Sequence, residues 1–193
     1  MTTGCQPPGV KALVAALRTF RYSVFRLETL QAYADPVEAH SIAAFRRGDP
    51  ERPADPAEDE WTAMLREHRD AGRVQQRVHV VTEPISDYVR YELCWEYGPH
   101  AAAGEDIRII PVTGAWPADV PSFDFTLVDS RLLFRLSYGP SGALLSVELV
   151  SDPANIAAAC AARDAALHHA VPWSEYIARY PELVRRLPEG VRS

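Results

Sequence analysis

The chain has 193 residues, 47% of them hydrophobic and 24% charged, the composition of an ordinary globular domain. That excludes collagen-like, coiled-coil, mostly disordered and disulfide-scaffold architectures, and the length predicts a single domain with its core over about residues 10–182 and flexible ends at 1–9 and 187–193. Twenty basic against 26 acidic residues leave a net charge of −6, with no dense basic stripe to release counterions from a phosphate backbone, so direct nucleic-acid binding is not expected.

No apolar run approaches the roughly 20 residues needed to cross a bilayer. Met1–Pro8 lacks the basic start and apolar stretch of a signal peptide. Cys5, Cys94 and Cys160, odd in number and far apart, predict reduced thiols. Together these features predict a cytoplasmic protein with no membrane partner. Nineteen arginines against the single Lys11 reflect genome composition and not mechanism.

In chain order, a helix is expected over about Val10–Phe20, then an extended segment Ser23–Leu30. Asp-Pro dipeptides then mark helix starts, because aspartate accepts from orphan amides and proline suits the first helical position. Asp35-Pro36 with Glu38 reads as a capping box for a helix closed by Gly48. Asp55-Pro56 with Glu58 opens another, ended by Gly72, with Trp61, Met64, Leu65 and His68 on one face. Between them, the charge- and proline-rich stretch Gly48–Ala57 predicts a solvated loop.

Val74, Gln76, Val78 and Val80 alternate with Gln75, Arg77 and His79, the pattern of a half-exposed strand ending near Thr82. Ile85–Tyr97 carries both signals: it alternates like a strand, but Ser86 and Asp87 after Glu83-Pro84 look like a helix cap, and helix is preferred. Ile107–Val112 is a short strand. After the loop Thr113–Ser122 come the strands Phe123–Val128, Leu132–Tyr138 and Ala143–Val150. The tight turns Asp129-Ser130 and Gly139-Pro140-Ser141-Gly142 make these an antiparallel meander. Asp152-Pro153 opens a last helix carrying Ile156, Ala159, Cys160 and Leu167 toward a core and stopped by Pro172.

No cysteine or histidine pair has zinc-ligand spacing, so no metal is expected from local motifs. Adjacent His168 and His169 diverge by about 100° on a helix. Cys160 and His168 stand roughly 12 Å apart along the axis, too far for a nucleophile and its base. GxGxxG, P-loop and GxSxG motifs are missing, so no cofactor is expected either.

What remains is a set of carboxylates near strand ends: Glu83, Asp87, Glu92, Glu105, Asp106, Asp124 and Asp129. They can bind a cationic ligand, hold a divalent metal or supply a raised carboxyl pKa; equally, they can serve as caps and as partners of Arg90, Arg108 and Arg131. Arg26 and Glu28 share one side of an extended segment, as a polar-ligand grip or a structural ion pair. Tyr88, Tyr91 and Trp95 form one helix face, which serves as core packing or as a pocket wall with Tyr88, Arg90 and Glu92 as its polar groups.

The ordered series FRLE (Phe25–Glu28), VHVVTEPISDYVRYE (Val78–Glu92), AGEDIR (Ala103–Arg108), FDFTLVDSR (Phe123–Arg131) and AVPWSEY (Ala170–Tyr176) resembles an uncharacterised domain family of actinobacteria. The match runs over about Phe20–Tyr180. The resemblance implies a small intracellular protein associated with helix-turn-helix regulators or natural-product gene neighbourhoods, and implies no established activity. The chain is also similar to the phospholipase D-like fold, whose catalytic motif needs a histidine, a lysine two residues on and an aspartate five beyond that. Aligning Asp129 with that aspartate puts Ser122 at the histidine position and Asp124 at the lysine position, so the similarity implies binding without phosphodiesterase chemistry.

The sequence thus predicts an α+β single domain, a mixed sheet with a C-terminal antiparallel meander flanked by helices. The expected function is small-ligand binding or regulatory accessory work, with Arg26, Glu28, Glu83, Asp87, Tyr88, Arg90, Glu92, Glu105 and Asp124 as site residues. Two other classes stay open: a small acid/base enzyme of secondary metabolism using the carboxylates with Tyr88 and Arg90, and a protein-binding partner of a helix-turn-helix regulator. Convergence of Glu83, Asp87, Arg90, Glu105 and Asp124 on one concavity marks a site; dispersal into caps and ion pairs argues against one.

Overall fold

The computed structural model describes residues 7–187. Its centre is a parallel trio, β1 (Ser23–Glu28), β2 (Val74–Thr82) and β3 (Glu105–Val112), extended by the meander β4 (Phe125–Val128), β5 (Leu132–Tyr138) and β6 (Leu144–Val150). A two-residue strand, β7 (Val171–Pro172), closes the far edge. The sheet runs β6-β5-β4-β1-β2-β3-β7, with β4 antiparallel to β1. The mixed single-domain α+β architecture expected from the sequence is therefore the one observed.

The β4–β5 turn works as its residues suggest. Asp129 and Ser130 both have φ near +52°, the left-handed pair that a two-residue hairpin with right-twisting strands requires. Asp129 also ties the turn to β1, accepting from the backbone N–H groups of Arg21, Tyr22 and Ser23 at 2.8, 2.7 and 3.0 Å.

Parallel neighbours need long crossovers. The first carries α2 (Ala39–Arg47) and α3 (Pro56–Asp70), after α1 (Val10–Thr19) has preceded β1; the second carries α4 (Asp87–Tyr91), a π-turn over Glu92–Glu96, and α5 (Tyr97–Ala103). α6 (Pro153–His169) packs its Ala159, Ala162 and Ala166 on Phe25, Leu27, Val78, Val80 and Ile110. The other sheet face meets α4, the π-turn and the short α7 (Trp173–Ile177) and α8 (Pro181–Val184), with Val81, Ile107 and Ile109 at the contact. α1 covers the meander through Ala16 and Leu17 against Val128, Phe134 and Val147.

Asp55 and Asp152 cap α3 and α6 as expected, accepting from Ala57 and Asn155 N–H. Ser86 caps α4 through Val89 N–H, and the preferred helical reading of Ile85–Tyr97 holds from Asp87 onward. Gly48, at φ +84°, closes α2 in a conformation an L side chain rarely adopts.

Three local expectations need correction. Asp35 accepts from Val37 N–H in a turn of its own, and α2 starts later, behind Glu38. The Gly48–Ala57 loop is not solvated throughout, because Arg52 turns inward onto Glu96. β2 is buried on both faces, with Gln75, Arg77 and His79 enclosed as well as Val78 and Val80, since it lies between β1 and β3 with helices on either side.

Cys94 and Cys160 are free thiols, while Cys5 lies outside the described residues. So do 1–6 and 188–193 of the ends expected to be flexible. In the described parts of those ends, Pro8 accepts from Val147 N–H and Leu187 is buried. Among the described residues no helix is long and apolar enough to cross a membrane.

Replacing Asp129 by Ala removes three charge-assisted hydrogen bonds, and a loss of about 2 kcal/mol is expected in urea denaturation. Slight burial raises the Asp129 pKa, but the three backbone donors outweigh this and hold it below the ordinary carboxylate range. Its contribution is thus complete above the unfolded pKa and is lost as pH falls through the folded one. Parent and Asp129→Ala stabilities should converge on acidification; a constant gap across that range would contradict the assignment.

Candidate functional site

Parallel pairing sets Arg26 opposite Arg77 and Glu28 opposite His79, with Gln75 opposite Glu105. Alternation then places all six on the sheet face that meets the second crossover. From the helical side Glu92, Glu96, Tyr97 and His100 project into the same space. The result is a layer of ionisable groups enclosed within the fold.

Glu105 anchors it. Arg77 reaches Glu105 with both arms of its guanidinium, Nε to Oε1 and Nη2 to Oε2 at 3.1 Å each, and Arg26 Nη2 adds a contact at 3.0 Å. The two guanidinium groups also lie over rings, Arg26 over Trp61 and Arg77 over Tyr97, at 5.4 and 5.2 Å. Glu28 stands further out, 3.5 Å from Arg77 Nη1 and 3.9 Å from Arg26 Nη1.

Two His/Glu/Glu groups flank this anchor. In the first, Glu28, His79 and Glu92 each offer an atom within 4.8 Å of the others. His79 Nε2 is 2.7 Å from the Leu30 carbonyl, and Nδ1 is 2.7 Å from the Tyr97 hydroxyl and 3.3 Å from Glu92 Oε2. The second comprises Glu58, Glu96 and His100. Here Arg52 Nε donates to Glu96 at 2.8 Å, with Nη2 3.6 Å from Glu58, and His100 pairs with Glu58. Both groups have metal-ligating chemistry, but the second already contains the chain's own cation.

Beyond the end of β1 an open hollow of about 640 Å³ lies between Thr29–Ala32, Ser122–Asp124 and the β5–β6 hairpin. Asp124 forms part of its wall: Oδ1 accepts from Thr29 N–H and hydroxyl at 2.8 and 2.7 Å, and Oδ2 from the Tyr33 hydroxyl at 2.6 Å. Gly142, at φ +82°, lets the hairpin approach closely, since a Cβ there would fall 2.5 Å from the Ala32 carbonyl oxygen.

Of the expected site residues, Arg26, Glu28, Glu92 and Glu105 meet in the enclosed layer, and Asp124 lies next to it at the hollow. Tyr88 is buried and donates to Glu38 at 2.7 Å. The expected convergence of five residues on one concavity does not occur. Glu83 accepts from Tyr176, Asp87 is exposed in the first turn of α4, and Arg90 faces Glu182 at 3.5 Å. Tyr91 and Trp95, with Tyr88, belong to the core.

Sequence reading missed Arg52, Glu58, Arg77, His79, Glu96, Tyr97 and His100. One signal was available: parallel strands joined by helical crossovers are covered on both faces, so polar alternation in β2 marks a buried polar layer and not a wet face.

Burial pushes Glu28 up to about 8, with Glu92 and Asp124 adding to the shift and Arg26 and His79 opposing it. Burial lowers the His79 pKa, but Glu92 and Glu28 reverse this and raise it to about 9. Burial, then the Glu92 charge, raises Glu38 to about 8, against the Tyr88 hydrogen bond. Burial likewise pushes Glu96 up; for His100 it acts downward and is outweighed by Glu58 and Glu105.

Fold and site together define a single-domain α+β protein with a charged layer closed between a mixed sheet and its crossover helices. Residues 11–178 match the family described as a domain of unknown function, DUF6879, and the chain belongs to that family. No curated protein matches it.

Two outcomes test the layer. Arg77→Met leaves Glu105 half-neutralised, and a loss of about 3 kcal/mol or more in urea unfolding is expected; a change below about 1 kcal/mol would mean that solvent screens the pair. The Glu38 pKa rises from 4.5 when unfolded to about 8 when folded, so between those values the native state holds a proton that the unfolded chain has released. Its stabilisation, complete below the lower value, is lost as pH rises through the upper one. Glu38→Gln should flatten part of that decline in Tm; an unchanged profile would remove Glu38 as its source.

Proposed function

We propose that the protein binds a small polar molecule in the hollow beyond β1 and serves as a ligand-binding accessory or regulatory protein. The observation that carries this reading is the composition of that concavity. Thr29, Gln31, Ser122, Ser137 and Tyr138 offer neutral hydrogen-bonding groups, Asp124 is the one charged side chain among the lining residues, and Phe123 and Leu136 supply apolar wall. Such a lining suits hydroxyl- or amine-bearing ligands and disfavours anions.

Ligand sites in open sheets fall beyond the carboxyl ends of parallel strands, where neighbouring connections part. The hollow has that position: the chain leaves β1 toward α2, while β4 is entered from the long loop after β3. In the phospholipase D-like reading, Ser122 and Asp124 stand where that catalytic motif has its histidine and lysine. Neither is an imidazole or an amine, which supports binding without phosphodiester hydrolysis.

One observation favours a second reading, acid/base catalysis on a small molecule: a carboxyl, Glu28, titrates near 8 close to the hollow. Its expected helpers give it no support, since Tyr88 is committed to Glu38 and Arg90 to the outer surface.

The test is thermal shift against polyols, amines and phosphate esters. A ligand from the first two groups at a hundred times its Kd should raise Tm by roughly 5 °C or more. Ser137→Trp, at an exposed lining position, should abolish the shift with the unliganded Tm unchanged. A panel that stabilises nothing, or a shift surviving that substitution, overturns the reading.

A further inference from the structure

We propose that Glu28, His79 and Glu92 form a binding site for one divalent first-row transition-metal ion, of the Mn²⁺, Fe²⁺ or Zn²⁺ class, inside the charged layer. This inference is independent of the ligand-binding reading. It stands on geometry, on a poorly compensated carboxylate oxygen, on histidine orientation and on charge.

Ligand atoms held 2.0–2.2 Å from one ion stand at most roughly 4.4 Å apart, and the three donors here already lie within 4.8 Å of one another. Closing the site needs side-chain adjustment only. Glu92 is 3% exposed, and its Oε2 makes no hydrogen bond of good geometry, its near neighbour being His79 Nδ1 at 3.3 Å. A buried carboxylate oxygen held only by a long contact is poorly compensated for its desolvation, and a metal cation among the three donors compensates it more fully.

The His79 ring is already set for ligation. A carbonyl oxygen can only accept, so Nε2, 2.7 Å from Leu30 O, carries the proton. Once the ion displaces the proton on Nδ1, the lone pair there faces the carboxylates, the arrangement in which a backbone carbonyl fixes the tautomer and orientation of a metal-bound histidine. The Tyr97 hydroxyl, 2.7 Å from Nδ1, is the group the ion displaces; it is then free to donate to a ligand carboxylate.

Charge points the same way. Arg26 and Arg77 make their short contacts with Glu105 and only longer ones, at 3.9 and 3.5 Å, with Glu28, and among the described residues no guanidinium pairs with Glu92. Asp124 adds a further nearby negative charge. In the neighbouring group the Arg52 guanidinium donates to Glu96 at 2.8 Å and lies 3.6 Å from Glu58, whereas at the first group the arginine contacts are confined to Glu28, at 3.5 and 3.9 Å. One imidazole nitrogen with two carboxylates selects borderline transition ions over Ca²⁺ or Mg²⁺, which favour all-oxygen sites.

The experiment uses the full chain, stripped with chelator and dialysed, and titrates Mn²⁺, Co²⁺, Zn²⁺ and Mg²⁺ by calorimetry. One transition ion per chain is expected, with Mg²⁺ binding weaker than each of the other three. Glu92→Gln, close to isosteric, should cost at least about tenfold in affinity, and Glu58→Gln in the arginine-filled group should leave it unchanged. Should Glu92→Gln fail to fold, the unaltered chain still decides: Zn²⁺ must shift the His79 ring nitrogens in NMR and spare those of His168 on the outer face of α6. Absence of stoichiometric binding, affinity unaffected by Glu92→Gln, or an unmoved His79 ring would each overturn the proposal.

Discussion

The structure depends on one constraint: the charges that β1 and β2 turn toward the crossover helices have little bulk water to solvate them. Removing a carboxylate or guanidinium from water costs several kcal/mol unless partners replace the lost solvent, and here Glu105 receives both Arg26 and Arg77. Register follows from that pairing. A slip of one residue between β1 and β2 would drive Arg26 or Arg77 into the apolar space under α6, where Phe25, Leu27, Val78 and Val80 now pack. One greasy face and one charged face on the same strands leave a single acceptable alignment.

The second crossover meets this demand through its irregularity. Four residues of α-helix turn about 40° past a full circle, so groups spaced by four drift steadily off a common line. A wider π-turn over Glu92–Glu96 drifts the other way. Combined with the α-helical turn that follows, it keeps Glu92, Glu96 and His100 directed at the sheet. The same segment sends Leu93, Trp95 and Tyr91 into contact with Phe45 and Trp173. A regular helix would sacrifice part of either the charged layer or the aromatic core.

The end of β1 links the enclosed layer to the outside. Leu30 offers its carbonyl to His79, Thr29 donates to Asp124, and Thr29 to Ala32 border the hollow. Four consecutive positions thus carry the chain from buried ionisable groups to solvent. A rigid sheet presenting a loop in this way is a common basis for binding sites, and here the loop is held from behind by the same histidine that the metal proposal concerns.

Much of the architecture was legible in the residues. The Asp-Pro starts at 55 and 152, the Ser86 cap, the Asp129-Ser130 turn and the meander are all local devices, resolved within a few positions of backbone, and the sequence alone determined them. It also determined the acidic balance and the apolar stripes that choose a layered α+β domain. Only tertiary structure decided what lay between the layers. Arg77 and His79 read as a wet face, because alternation reports which residues share a side and not what covers that side. Glu58 and Arg52 read as a cap and a loop charge, because their partners lie 42 and 44 positions away. Local chemistry acts through neighbouring backbone and is written in order along the chain. Burial of a charge is a property of the assembled layers, set by distant segments that no short window contains.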